Sequence, residues 1–121
     1  MHAGATLFAQ QLRALGFDLQ TISDSRLAFA YTIPAGRFIG QTVTLAFDVP
    51  IDFERTPPSG PHISPRILPL NPNAPAHPER VAESPVGSQY EYLSRPYTNW
   101  GKDGCTVAAY MAFIRHILAT S

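Results

Sequence analysis

Every proline except Pro34 falls between Pro50 and Pro96. That distribution constrains the fold more than any other feature, because proline donates no backbone hydrogen bond and interrupts both helix interiors and central strands. Continuous ladders and long helices therefore belong to residues 1–49 and to the stretch after Pro96. The middle is expected to cross the domain as turns, sheet edge and loop.

The first part carries two periodicities. Residues Ala3 to Leu15 predict a short amphipathic helix with Leu7, Phe8, Leu12 and Leu15 on one side and Gly16 as its stop. Leu27, Phe29, Tyr31 and Ile33 then alternate with smaller or polar neighbours, as do Val43, Leu45, Phe47 and Val49. Period two with one apolar face predicts an antiparallel pair, joined by a tight turn at Pro34-Ala35-Gly36.

Beyond Val49 the pattern fails. Thr56-Pro57-Pro58-Ser59-Gly60 cannot be central strand, and His62 to Leu70 is at most an edge strand because it holds Pro65 and Pro69. Asn71 to Tyr97 is expected to be mostly loop, long enough to be functional, or a flap held by Tyr90, Tyr92 and Leu93. The last helix is the clearest element. Val107, Tyr110, Met111, Ile114, Ile117 and Leu118 recur at the spacing of a buried stripe.

At 121 residues the chain is expected to be a single domain, residues 1–121, of class α+β. The formal net charge of zero provides no electrostatic footprint for nucleic acid and no basic amphipathic face for a membrane. It also offers little repulsion against a protein partner. No apolar run approaches a membrane span or the core of a signal peptide. Cys105 is the only thiol, so no internal disulfide forms, which fits a reducing, cytoplasmic setting.

Cys105 stands where polar turn residues hand over to the last helix, in Asn99-Trp100-Gly101-Lys102-Asp103-Gly104-Cys105. Backbone donors and the dipole at a helix start favour thiolate over thiol, and the two glycines leave the approach open. The plain alternative is a small hydrophobe anchoring the helix start. His116 cannot pair with Cys105 if both lie on one helix, since eleven residues at a rise of about 1.5 Å place them roughly 16 Å apart. His62 and His77 lie on segments able to fold over the thiol. The histidines and cysteine lack zinc spacing, and no phosphate loop or Gly-x-Ser-x-Gly nucleophile motif occurs.

The order of elements resembles the ubiquitin-conjugating (UBC) fold, and in particular bacterial UBC-like proteins whose operons encode a ubiquitin-like protein, an activating enzyme and a JAB-type deconjugase. Residues Gly40 through Pro58, ending in Asp52-Phe53-Glu54-Arg55-Thr56-Pro57-Pro58, are similar to that fold's third strand and double-proline crossing. Asn71-Pro72-Asn73, or else His77-Pro78-Glu79, resembles its His-Pro-Asn turn. Trp100 with the following helix resembles the region downstream of its active site. Pro57 to His62 and Tyr92-Leu93-Ser94-Arg95-Pro96-Tyr97 are similar to the bacterial groups.

The resemblance implies a transferase that accepts a ubiquitin-like protein from an activating enzyme as a cysteine thioester and passes it to a target amine in a bacterial pathway, and it is the likeness alone that suggests an antiphage role. No metal or organic cofactor is implied. Cys105 would carry the thioester, Asn99 would stabilise the oxyanion and Asp103 would orient or deprotonate the incoming lysine; His62 joins this catalytic set from its own position, on a segment able to reach the thiol. The sequence departs from the family in one respect: the usual cysteine precedes the tryptophan, whereas Cys105 follows Trp100. Either the thioester site has moved, or the chain is a silent UBC-like subunit that presents a ubiquitin-like protein to others. From the residues alone, Asp103 reads as a helix cap and Asn99 as a turn residue.

Overall fold

The computed structural model describes residues 1–67, 81–93 and 97–120. Within these residues the fold is α+β: two helices, α1 (Ala3–Ala14) and α2 (Val107–Thr120), pack on a six-stranded antiparallel sheet. The strands are β1 (Leu19–Thr21), β2 (Arg26–Thr32), β3 (Thr42–Asp48), β4 (His62–Ser64), β5 (Val81–Glu83) and β6 (Glu91–Leu93), in the order β1-β2-β3-β4-β6-β5.

Alternation decides the two faces of the sheet. Leu27, Phe29, Val43, Leu45 and Phe47 point to the helices, and the rungs Leu45↔Ile63 and Val81↔Leu93 extend that face to the far strands. Phe8 of α1 meets Phe47, Phe53 and Tyr110 in tilted or edge-on ring contacts at 5.2–6.1 Å. Such contacts add about 1 kcal/mol each to the area they bury. All six stripe residues of α2 are buried, as the spacing predicts. The opposite face is built of small residues, and Ala28, Ala46 and Tyr90 form a separate minor cluster there with Val86 against it.

Helix α1 begins one residue after His2, whose Nδ1 accepts the Ala5 amide at 3.0 Å. It stops where Gly16 adopts φ 94° and donates to the Arg13 carbonyl. Gly4 is required by packing, because a Cβ there would sit 1.9 Å from the Pro50 carbonyl oxygen. Leu15, expected on the buried side of α1, is 47 % exposed.

Three expectations about the sheet need correction. The connection between β2 and β3 is not a tight turn at Pro34-Ala35-Gly36 but a longer loop, closed by the Ile33 amide on the Gln41 carbonyl. The strand at His62 is interior, between β3 and β6, because it ends at Ser64, so Pro65 falls beyond the ladder. The stretch expected to be loop up to Tyr97 contains β5 and β6, which close the sheet beyond β4. The Asn71-Pro72-Asn73 and His77-Pro78-Glu79 turns and Arg95 lie outside the described residues.

Candidate functional site

Residues 97–105 form a turn on the helix side of the sheet. Trp100, 5 % exposed, anchors it by donating from Nε1 to the Glu54 carbonyl at 2.8 Å. The Asp103 amide donates to the Asn99 carbonyl at 2.9 Å, and the Cys105 amide to the Trp100 carbonyl at 3.2 Å. Gly104 and Cys105 both have positive φ, 97° and 57°. The left-handed region is uncommon for a residue with a Cβ, and here it is what turns the chain into α2.

Cys105 is therefore not the first residue of the helix. Helix α2 starts at Val107, and its cap is Thr106, whose Oγ1 accepts the Ala109 amide at 3.1 Å. A cap residue needs extended backbone and a side-chain acceptor, and Thr106 has the acceptor. The sequence carried this signal, a threonine directly before the apolar stripe. Gln11 of α1 supplies a second acceptor from outside the helix, taking the Val107 amide on Oε1 at 2.9 Å while its Nε2 donates to Glu54 at 3.1 Å.

The thiol of Cys105 is half-buried against the main core, and its Sγ donates back to the Trp100 carbonyl at 3.7 Å. Space beside it is open, since a Cβ on Gly101 or Gly104 would meet nothing within 4 Å. Asn99 is exposed and contributes its backbone carbonyl to the turn. Asp103 does not cap α2: its carboxylate accepts a short hydrogen bond from the Tyr97 hydroxyl. Burial, with this hydrogen bond second, pushes the Tyr97 phenol up to about 12. The Tyr97 ring lies flat on Phe113 at 4.3 Å and edge-on to Trp100 at 5.6 Å.

His62 does not join this group. It shares a row with Ala46 and Tyr92 on the far side of the sheet, whereas Cys105 packs on the helix side. A β-strand sends successive side chains to opposite faces, so Ile63 enters the core and His62 leaves it. The ring is 3 % exposed and stacks on Tyr92 at 4.6 Å. Its Nδ1 is 2.7 Å from Ser84 Oγ, and its Nε2 is 3.9 Å from Asp48. Asp48 in turn accepts from Arg26 Nε at 2.7 Å.

This row contains a serine, a histidine and an aspartate, but it is not built for nucleophilic attack. Burial lowers the His62 pKa to about 4, outweighing the opposing pull of Asp48, so the imidazole is a weak base at neutral pH. Ser84 Oγ already accepts the Val86 amide at 3.1 Å, and Asp48 is held by Arg26. Ser84, Asp48 and Arg26 escaped notice in the sequence because nothing local links them to His62; only strand pairing brings them together. Beside the row, Ala28, Ala30 and Thr44 floor an open recess of about 430 Å³, bordered by Asp18, Leu19 and Gln20.

Among the described residues, no three His, Cys, Asp or Glu side chains are grouped as a metal would need, and no helix is long and apolar enough to cross a membrane. Comparison with protein families, with curated proteins and with solved structures finds no match. The site must be judged on its own geometry.

Proposed function

We propose that this chain is a UBC-like subunit of a ubiquitin-like conjugation pathway that holds its ubiquitin-like partner by noncovalent contact. Support for the pathway comes from the resemblance of Pro57–His62 and Tyr92–Tyr97 to bacterial UBC-like proteins, and from two helices sharing one face of an antiparallel sheet. One observation carries the noncovalent reading: three of the groups a transferase would combine, Cys105, Asp103 and His62, each have another partner. The Cys105 thiol turns to the Trp100 carbonyl, Asp103 accepts from Tyr97, and His62 lies across the sheet on Ser84. A thioester carrier needs its nucleophile, a base for the amine and oxyanion donors converging on one point. On this reading Cys105, Asn99, Asp103 and His62, expected as a catalytic set, do not act together in transfer.

The second reading, a thioester on Cys105, is favoured by the open space beside Gly101 and Gly104 and by the partial exposure of the residue. In it the thiolate attacks the acyl carbon of the activating enzyme's thioester, whose own thiolate leaves. A target amine then displaces Cys105.

One experiment separates the two. The chain is mixed with the activating enzyme, the ubiquitin-like protein and ATP, resolved on a nonreducing gel, and titrated in parallel with the ubiquitin-like protein by calorimetry. The expected result is saturable binding, unchanged in Cys105→Ala, with no reductant-sensitive adduct. A band lost both with reductant and in Cys105→Ala installs the thioester reading instead. Loss of binding to both partners would leave an interaction domain outside conjugation.

A further inference from the structure

We infer that the outer edge of β1 is a seam for a second copy of this chain, which pairs with it antiparallel about a two-fold axis at Gln20. The inference rests on backbone register and does not depend on the conjugation reading.

Register shows which backbone groups β1 leaves over. In an antiparallel ladder, facing residues alternate between pairs that exchange both hydrogen bonds and pairs that exchange none. The Ile22 amide donates to the Arg26 carbonyl at 2.9 Å, so Ile22 and Arg26 are a bonded pair. Along the rungs Thr21↔Leu27, Gln20↔Ala28 and Leu19↔Phe29, the next bonded pair is Gln20 with Ala28. Leu19 and Thr21 therefore turn their amides and carbonyls away from β2. The far side of β2 agrees: the Val49 amide donates to Ser25 and the Ile33 amide to Gln41, so odd-numbered residues there bond towards β3 and even-numbered ones towards β1. β1 ends the strand order, and among the described residues no strand pairs with its outer side.

Shortness apart, nothing in β1 discourages pairing. Edges are commonly blunted by charge, proline or a bulge, and Leu19-Gln20-Thr21 has none of these. Apolar surface borders it instead. Ile22 is 46 % exposed, and Met1, 41 % exposed, accepts the Thr21 hydroxyl on Sδ at 3.8 Å. The opposite edge, β5, carries the charged Glu83, paired with Arg66 at 2.7 Å.

The occupant that fits is the strand's own copy. A two-fold axis at Gln20 sets Leu19 against the second copy's Thr21, and Thr21 against its Leu19, so the outward groups exchange both bonds at each rung. Gln20 then faces the second copy's Gln20, and a carboxamide both donates and accepts, which makes it its own complement. Gln20 lies opposite Ala28, on the outer face of the sheet, and Asp18 and Ile22 share that face by alternation. The same register places Asp18 opposite the second copy's Ile22. The exposed isoleucine thus reaches the border of the recess floored by Ala28, Ala30 and Thr44. Asp18 in turn joins the row of the second copy's Arg26, no like charges face each other, and the net charge of zero opposes nothing. The axis closes the assembly at two copies. A seam this short buries less than the roughly 800 Å² per partner of a stable complex, so the dimer dissociates on dilution.

The test reads the assembly state of the full chain by sedimentation equilibrium between about 10 µM and about 1 mM, where a small interface associates. The expected mass climbs from that of one chain towards that of two, and no further. Gln20→Lys and Gln20→Glu each set like charges face to face at the axis and weaken association at least about fivefold. Mixing the two in equal amounts restores it, as only Gln20 against Gln20 predicts. Should the charge variants fail to fold by far-UV circular dichroism, Thr21→Pro replaces them, since it deletes an outward amide and no bond to β2, and it too abolishes the dimer. A chain that stays monomeric across the range overturns the seam, as does association undiminished in these variants. A mass that grows past two chains overturns the two-fold closure, and a mixture that fails to recover overturns the axis at Gln20.

Discussion

Gln11 of α1 accepts the backbone amide of Val107 at the head of α2, 96 residues further along the chain, at 2.9 Å. The same side chain donates to Glu54, whose carbonyl receives the Trp100 indole, so one amide group ties both helices to the turn that carries Cys105. Gln11→Leu keeps the bulk but abolishes both bonds and leaves an orphan donor at the helix start. We expect a loss of about 1–2 kcal/mol in urea unfolding at an unchanged m-value. Glu54→Ala, which keeps the carbonyl, should cost less than half of that.

Gly4 is fixed by the closeness of α1 to the Pro50 carbonyl. Alanine is the better helix former at an open position, yet here Gly4→Ala must push α1 off the loop, and a destabilisation of about 3 kcal/mol is expected. Gly40→Ala serves as the contrast, since a Cβ there meets nothing within 4 Å and only the strain of φ 85° remains. Thermal melts of the two variants distinguish collision from strain.

Stability should fall as pH drops through the window set by His62. The pKa is lowered in the fold to about 4 from 6.5, so the unfolded chain takes up a proton before the folded one does. The contribution is fully present above about pH 6.5 and is lost progressively down to about pH 4, a total of about 3 kcal/mol. Chemical denaturation at intervals across that range should show the slope, and His62→Gln should remove most of it.

The phenol of Tyr97 is held near pH 12, first by burial and then by its bond to Asp103. Asp103→Asn removes the carboxylate charge but not the burial. An ultraviolet titration of the phenolate band should therefore move down while staying above the ordinary value of 10. A midpoint unchanged by the substitution would mean that the short bond does not persist in solution.

Cys105 occupies left-handed backbone at φ 57°. Glycine adopts this conformation without penalty, whereas a β-branched side chain is strongly opposed to it. Cys105→Gly is expected to stay within about 1 kcal/mol of the parent, and Cys105→Val to lose about 2 kcal/mol or more. Differential scanning calorimetry of the pair checks the turn without reference to any activity.

Much of the scaffold was legible in the residues. The α2 stripe and the alternations of Leu27–Ile33 and Val43–Val49 are long enough for period to identify the element and its buried face, and these residues form the core. Strands β4, β5 and β6 are three residues each, too short for alternation to register, so their stretch looked like edge and loop. The site was less legible. Cys105 could be placed near a helix start from its neighbours, but its left-handed backbone and the cap at Thr106 depend on how the turn closes on Trp100.

By itself, the order of residues determined both helices and strands β2 and β3, where proline stops them, and which of their side chains form the core. These are properties of periodicity, backbone donors and apolar area, and they act over a few neighbours. Tertiary structure alone decided that His62 faces away from Cys105 and onto Ser84, that Gln11 caps a helix at the other end of the chain, and that Asp103 serves Tyr97. The first two arise from sheet register and helix packing between segments distant in sequence, and the third from how the 97–105 turn closes on Trp100.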